Sequence, residues 1–424
     1  MYKNFQLVVL AGGKGTRLKR ILKKKSKVLI KINKKTLLEN IFNQFINIKK
    51  KLVLINKNQN DIINFLKKSN KNNFLIEEEP LGDGGCLNLL KCQKEFKNLF
   101  FLVVPGDLLI NANINNFIHF HLKKKSDLTF WCHPTNHVLD SDLINCNTDG
   151  KLIKFYDKPH LKDNLSNLSL TGIYIIRGKL LKFLDSKTKP LSSRFFFKKL
   201  LKKNVKAYCY ISRDYIKDVG VPDRLKKVRN NIKKNNNNFY KSSQKVPAIF
   251  LDRDGVINKE NNGELYSNPL NILPGVITAL KKINESKYLS IVITNQPSIA
   301  KGFLTIKKFD DLTNKFNFFI SSKGCFVNKI YYCPHHPNKG FKGEITKLKI
   351  ICNCRKPKIG LITKAVKDLN IDLKNSIFIG NSLSDYQCAL NANIRYFHIG
   401  KKDKDKIFSK KFKSLLKVIK FLKL

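Results

Sequence analysis

The 424-residue sequence predicts an α/β protein built as two doubly wound domains in series. Three observations predict it. Short apolar runs alternate with longer segments of helical spacing. Turn-rich or polar loops follow the apolar runs, the pattern of a parallel sheet wound with helices. A polar stretch, Lys226–Lys245, interrupts the alternation, which then restarts. The length is too great for one ordinary core and suits two.

In chain order, Phe5–Leu10, Lys51–Ile55 and Phe100–Val104 read as strands, with Leu37–Ile48 and Asp61–Lys68 as helices between them. Lys226–Lys245, with Asn235–Asn238 inside it, reads as a helix end followed by a linker. The expected divisions are a first domain over 1–230, a linker over 231–245 and a second domain over 246–424. Ala248–Leu251, Ser290–Thr294 and Ile377–Gly380 are the strands of the second half. Phe408, Phe412, Leu415, Ile419 and Leu422 form a helical stripe in the basic tail, expected as a packing helix rather than a membrane-surface anchor. The halves share no repeat.

Composition excludes several classes. At 42% hydrophobic residues the chain builds cores, so wholesale disorder is excluded. No run approaches 18 apolar residues, and Leu7–Leu10 runs straight into a glycine loop, so neither a membrane span nor secretion is expected. Lys+Arg of 82 against Asp+Glu of 31 gives a net charge of +51, yet Arg occurs only ten times and the excess is spread evenly. That spread fits the codon bias of an AT-rich genome; a nucleic-acid face concentrates its charge and uses arginine, so no nucleic-acid partner is expected. Ten cysteines in a chain this long are no secreted disulfide scaffold, and a reducing cytoplasm is the expected compartment.

The first candidate site begins at Gly12-Gly13-Lys14-Gly15-Thr16-Arg17, after a strand. Glycines let backbone N–H groups approach phosphate, and Lys14 and Arg17 add positive charge. The spacing is neither the dinucleotide-binding nor the P-loop pattern. The string Gly-Gly-x-Gly-Thr-Arg-Leu resembles the signature of the sugar-1-phosphate nucleotidylyltransferases. Further landmarks follow in order: Ser26-Lys27 where that family has Pro-Lys, Glu79-Pro80-Leu81-Gly82, Gly106-Asp107, Asp157-Lys158-Pro159 for Glu-Lys-Pro, Gly172-Ile173-Tyr174 and Asp218-Val219-Gly220-Val221-Pro222. The resemblance implies that Arg17 and Lys27 hold the triphosphate and that the glycine loop, Glu79 and Gly82 bind the nucleotide. It also implies that Lys158 and Gly172 approach the sugar phosphate, and that Asp107 and Asp218 hold Mg²⁺. His133–His137 and Asp140–Leu143 resemble the members that transfer GMP to heptose 1-phosphate.

The second candidate site opens with Asp252-Arg253-Asp254-Gly255 at a strand end. One carboxylate there can attack phosphorus, and the other can protonate the leaving alcohol and then activate water. Read with later motifs it resembles the haloacid-dehalogenase superfamily. That resemblance implies phosphoryl binding by Thr294, a neutralising Lys356 and an acidic fourth motif at Gly380–Asp385. Mg²⁺ would lie on Asp252, Asp254, Asn381 and Asp385, with Asn381 replacing the usual aspartate. Asn295 and Arg355 are assigned to the sugar phosphate. Cys333-x-His335, sixteen residues, then Cys352-x-Cys354 is a closed set of the kind that structural Zn²⁺ prefers; His336 is spare. The zinc loop resembles the heptose bisphosphate phosphatases and the related histidinol phosphatases, without room for a large cap.

Together the resemblances imply removal of the 7-phosphate from heptose 1,7-bisphosphate, then GMP transfer from GTP to heptose 1-phosphate, feeding surface glycans such as lipopolysaccharide. Mg²⁺ in both sites, one structural Zn²⁺ and cytoplasmic location follow as expectations, with homo-oligomerisation open. Two alternatives stand beside this: the same reactions on another sugar or base, and a degenerate basic binding protein that keeps only the folds.

Overall fold

A computed structural model of the chain describes all residues except 1, 14, 23–24, 69–72, 94, 148, 161, 163–164, 186–189, 234–241, 261–270 and 401–410. Much of the expected linker, together with Lys14 and Phe408, therefore lies outside the described residues. The described chain forms two compact units. One comprises Met1–His133, Cys146–Phe155 and Leu170–Lys241; the other comprises Ser242–Leu424 with Pro134–Asn145 and Tyr156–Ser169.

In the first unit, Phe5–Leu10 pairs in parallel with Lys50–Asn56 on one side and Phe100–Pro105 on the other, and Lys50–Asn56 pairs in parallel with Asn73–Glu77. These strands are near-continuous apolar runs because both faces are buried: Val8, Leu52, Leu54, Phe101 and Val103 are as inaccessible as the residues that alternate with them. Leu7, Val9, Val53, Ile55, Leu102 and Val104 are fully buried against Leu38 and Ile41 of one helix and Ile62 and Leu66 of another. Each such side chain contributes about 1.5–3 kcal/mol on leaving water. Leu168–Arg177 runs antiparallel beside Phe100–Pro105, so the sheet is mixed beyond its parallel centre.

The first helix starts at a Thr36/Glu39 capping box and spans Leu37–Gln44, shorter than the expected Leu37–Ile48. The chain leaves the helix at Phe45, and the Ile48 N–H bonds to the Phe45 carbonyl at 3.0 Å. Phe45 and Ile48 thus enter the core from a turn and still supply the helical spacing seen in the sequence.

The second unit has a six-stranded sheet in the order Lys329–Cys333, Leu289–Asn295, Ala248–Leu251, Ile377–Gly380, Arg395–Ile399 and Lys411–Phe412, every neighbour parallel. Side-chain alternation divides the core. Ile249, Leu251, Val292 and Ile379 face the helices Val276–Glu285 and Ile306–Ser322, whereas Phe250, Ile291, Ile293 and Phe378 face Gly360–Leu369 and Leu383–Asn391. The winding direction reverses between Ala248–Leu251 and Ile377–Gly380, where such sheets open a crevice at their carboxyl ends. Val138, Leu143 and Leu165 cluster with Phe318 of the same unit.

The tail differs from a single helix. Phe412 lies in the short edge strand Lys411–Phe412, and the helix is Leu415–Phe421. Ser414 is the reason: its hydroxyl accepts the Lys417 N–H and starts a new helix. Among the described residues no helix is long and apolar enough to cross a membrane.

Candidate active sites

The glycine loop follows directly from the strand Phe5–Leu10. Gly15 takes φ +59°, a region open to glycine because it has no Cβ. Gln59 fastens the loop, its amide donating to the carbonyls of Ala11 at 3.0 Å and Gly13 at 3.3 Å. Arg17 is exposed on the short helix Thr16–Leu18; the Thr16 side chain lies outside the described residues. Gly12 stands beside Glu77, whose Oε2 would lie 3.3 Å from a Cβ at that position. Burial raises the Glu77 carboxyl above its ordinary range, with backbone and thiol hydrogen bonds opposing.

Three expected residues converge on Gly220. A Cβ there would stand 2.8 Å from Asp218 Oδ1, 3.0 Å from Lys27 Nζ and 3.6 Å from Asp107 Oδ2. The antiparallel pair Leu108–Asn111 and Tyr215–Asp218 brings this about, since Asp218 lies opposite Leu108. Lys27 pairs with Asp107 and Arg224 with Asp218, while the Gly220 N–H donates to Asp218 Oδ1 at 2.6 Å. Two carboxylates and two cations around one small residue suit a metal-bound polyphosphate.

Ser26 stands where the resembled family has proline. Its N–H and hydroxyl donate to Asp61 Oδ2 at 2.6 Å and Oδ1 at 2.7 Å, neither of which a proline could do. Asp61 thereby holds the turn that presents Lys27.

The remaining expected residues are dispersed. Glu79 is exposed. Gly82 serves packing, because a Cβ would meet the Leu191 carbonyl at 2.6 Å. A Cβ on Gly172 would meet Pro105 Cγ at 2.8 Å. Lys158, expected with the first domain, falls in the second unit, where its ammonium donates to the Asp140 carbonyl at 2.7 Å.

In the second unit the expected residues cluster at the carboxyl ends of three adjacent strands. Asp252 follows Ala248–Leu251, Thr294 and Asn295 end Leu289–Asn295, and Asn381 follows Ile377–Gly380. The Lys356 ammonium lies 2.8 Å from Asp252 Oδ1 and 2.6 Å from Asp385 Oδ1, its side chain 2% exposed. Burial alone would lower the Lys356 pKa, but the two carboxylates outweigh it and hold it above the usual value. For Asp252, burial raises the carboxyl and the ammonium opposes. Asp385 Oδ2 accepts the N–H groups of Asn381 and Ser382, both at 3.1 Å, and the Ser382 hydroxyl at 2.8 Å, which anchors the fourth motif.

Asp254 is held by the Arg253 guanidinium at 3.2 Å, Asn258 Nδ2 at 2.8 Å and Gln296 Nε2 at 2.9 Å; Gln296 also donates to Thr294 Oγ1 at 2.9 Å. Asn295 and the Lys356 backbone bond reciprocally, amide to carbonyl at 3.2 Å and N–H to side-chain oxygen at 3.0 Å. Asn295 therefore ties down the loop that presents Lys356. Arg355 donates to the His335 carbonyl at 3.3 Å.

Asn381 Oδ1 is buried without a hydrogen-bond partner among the described residues. The Asn381 side chain packs against the loop between the strand Ala248–Leu251 and Val256: a Cβ on Gly255, at φ +81°, would lie 2.1 Å from Asn381 Nδ2 and 3.3 Å from Oδ1. A buried oxygen without a hydrogen-bond partner can take a hard cation such as Mg²⁺.

The ligand atoms of Cys333, His335, Cys352 and Cys354 lie within 4.8 Å of one another, the one such group of three or more metal-ligating side chains among the described residues. Sulfur separations are 3.6, 3.2 and 3.3 Å, and His335 Nδ1 is 3.2 Å from Cys354 Sγ. A tetrahedral Zn²⁺ with Zn–S bonds of ~2.3 Å asks for sulfurs somewhat under ~4 Å apart, so the set fits zinc. His336 instead bonds the Asn338 carbonyl.

Sequence reasoning passed over Gln59, Asp61, Glu77, Arg224, Asn258, Glu260 and Gln296. Glu77 carried a usable signal, an acidic residue closing an apolar strand. Gln59 and Asp61 carried none, because the loop groups they hold lie about 35–48 residues away in sequence.

Residues 6–235 match the family model of nucleotidyl transferases, and residues 249–411 match that of polynucleotide kinase 3 phosphatases. The D-glycero-β-D-manno-heptose-1,7-bisphosphate 7-phosphatase of Yersinia pestis is 37% identical over 152 residues, 36% of this chain and 79% of that protein. Among solved structures, HddC from Yersinia pseudotuberculosis is 25% identical, covering 55% of this chain and 100% of that one, with a TM-score of 0.44. The D,D-heptose 1,7-bisphosphate phosphatase from B. bronchiseptica, complexed with magnesium and phosphate, is 25% identical over 42% of this chain and 97% of that one, with a TM-score of 0.35.

Proposed function

Because the chain belongs to the nucleotidyl transferase family and, through its second half, to that of the heptose-1,7-bisphosphate 7-phosphatases, we propose that it performs two consecutive reactions. The domain over 246–424 removes the 7-phosphate of D-glycero-D-manno-heptose 1,7-bisphosphate. The domain over 1–230 transfers GMP from GTP to the resulting heptose 1-phosphate and releases pyrophosphate. The observation that carries the reading is the presence in one chain of two site constellations whose reactions join, the product of one being the acceptor of the other. The product, GDP-heptose, serves surface-glycan synthesis such as that of lipopolysaccharide, and the cytoplasm, where GTP is held, is the place of reaction.

In the phosphatase reaction an Asp252 oxygen attacks phosphorus and the bond to the sugar oxygen breaks, giving an aspartyl phosphate. Asp254 gives its proton to the departing alkoxide, then takes one from the water that cleaves the phosphoenzyme. Lys356 and Thr294 hold the phosphoryl oxygens, and Arg355 meets the sugar phosphate. Asp252, Asp254, Asn381 and Asp385 would hold Mg²⁺, and Asp385 also anchors Lys356.

In the transferase reaction the sugar phosphate attacks the α-phosphorus, and the protein's task is alignment and charge neutralisation. Lys27 and Arg17 hold the triphosphate, Gly12, Gly13, Gly15 and Thr16 admit it, and Glu79 and Gly82 border the nucleoside. Lys158 and Gly172 receive the sugar phosphate, and Asp107 and Asp218 hold Mg²⁺. In both sites Mg²⁺ supplies neutralisation and orientation of phosphoryl oxygens. Cys333, His335, Cys352 and Cys354 hold a structural Zn²⁺ that ties the loop bearing Arg355 and Lys356.

Phosphorus NMR of heptose 1,7-bisphosphate incubated with the chain and Mg²⁺ tests the first step. Loss of the 7-phosphate resonance with the 1-phosphate kept is expected; loss of the 1-phosphate, or no loss, overturns the reading.

A further inference from the structure

Asn381 stands where the resembled superfamily has a metal-binding aspartate, and the exchange creates a problem of orientation. A carboxylate offers the same oxygen whichever way it turns. A carboxamide offers a ligating oxygen on one side and an N–H₂ that cannot ligate on the other. An asparagine in this position works only if something fixes which end faces the cation.

The structure holds such a device. Asn381 Nδ2 donates to Glu260 Oε2 at 3.1 Å, and Asn381 Oδ1 is left buried and without a hydrogen-bond partner among the described residues. The reversed amide would set its oxygen against the Glu260 carboxylate, acceptor to acceptor, and its N–H₂ where the bare oxygen now stands. Glu260 lies on the segment that supports the nucleophile's neighbour: Asn258, two residues earlier and fully buried, donates to Asp254 Oδ1 at 2.8 Å, and the Lys259 N–H bonds to the Asn271 carbonyl at 2.9 Å. The Asn381 backbone is fixed in turn by its N–H to Asp385 Oδ2.

We propose that Glu260 is a positioning residue of the phosphatase site, which turns the Asn381 amide oxygen toward the divalent cation and keeps a negative charge next to a ligand set that has lost one. The proposal rests on the metal-dependent phosphatase reading. It also predicts a conditional role: Glu260 matters because residue 381 is asparagine, and next to an aspartate it would be a like-charged neighbour of no orienting use.

The test measures Mn²⁺ binding to the full chain, with free Mn²⁺ followed by electron paramagnetic resonance. Asp252→Ala first identifies the binding class that belongs to this site; if it removes no class, the metal-dependent reading itself fails and the proposal falls with it. Given that class, Glu260→Ala is expected to weaken it about 10-fold, the scale of losing an outer partner of a metal ligand. Glu260→Gln keeps an acceptor for the Asn381 N–H but loses the charge and can also donate to the reversed amide, so it should recover only part of that affinity. In the Asn381→Asp chain, Glu260→Ala should cause no weakening. An unchanged affinity in Glu260→Ala, or an equal loss in the Asn381→Asp chain, overturns the proposal. Glu260 is exposed, so unchanged melting of these variants is the expected control for folding.

Discussion

Replacing Lys356 by methionine removes a buried cation from between two carboxylates. Its ammonium lies 2.8 Å from Asp252 and 2.6 Å from Asp385, with 2% of the side chain exposed. Methionine keeps much of the volume and none of the charge, so both carboxylates lose their counter-ion in a dry site. Breaking a buried pair in this way costs about 3–5 kcal/mol. For a domain of this size each kcal/mol lowers the melting temperature by roughly 2–4 °C, so a drop of roughly 6–20 °C is expected without Mg²⁺. Phosphatase turnover should fall by about 10²–10³-fold, the scale of losing one transition-state donor. Adding Asp385→Asn to Lys356→Met should recover part of the stability and none of the turnover, since it removes one uncompensated charge. Circular dichroism follows the melt of the whole chain. The sole tryptophan, Trp131, belongs to the first unit, so unfolding without a change in its fluorescence reports the second. A Lys356→Met chain that melts unchanged and still hydrolyses the bisphosphate would refute the reasoning.

Other outcomes follow from the same geometry. Asp252→Asn should abolish phosphatase activity and spare nucleotidyl transfer, and Asp107→Ala should do the reverse, as measured by phosphate and pyrophosphate release; loss of both activities in either variant contradicts two independent sites. Elemental analysis should find one zinc per chain, and chelation should lower melting of the second unit and phosphatase activity together; a zinc-free, fully active chain contradicts the assignment. His121 is buried in the first unit beside Thr129, and burial lowers its pKa to about 4, against 6.5 when unfolded. The unfolded chain therefore takes up the proton first as pH falls, and stability should drop between pH 6.5 and 4 by about 3 kcal/mol. His121→Asn should flatten that pH dependence in thermal melts, and an unchanged slope contradicts it.

The sequence made the strand ends legible. Asp252, Thr294 and Asn381 each follow an apolar run, and a parallel sheet brings the ends of such runs together. The clustering of Cys333, His335, Cys352 and Cys354 was legible because the spacing is short and the residue types are few. Less legible were positions settled by contacts between distant segments. Gly82 was legible as a motif residue, but the close approach of the Leu191 backbone that also requires a glycine there was not. Ser26 looked like a defect in a motif, yet Asp61 gives it a role that proline could not fill. Asn381 was legible as a ligand one charge weaker than the usual aspartate, but its contact with Glu260, 121 residues earlier, was not. Periodicity overran the helices at Phe45 and Phe412, because a turn and a short strand can carry apolar side chains into a core at helical spacing.

One chain carrying both reactions in sequence should convert heptose 1,7-bisphosphate to GDP-heptose unaided. Mass spectrometry of a single incubation of the full chain with heptose 1,7-bisphosphate, Mg²⁺ and GTP tests this. GDP-heptose is expected, with one phosphate and one pyrophosphate released per molecule formed. Heptose 1-phosphate accumulating beside intact GTP would contradict the guanylyl transfer, and an unchanged bisphosphate would contradict the phosphatase.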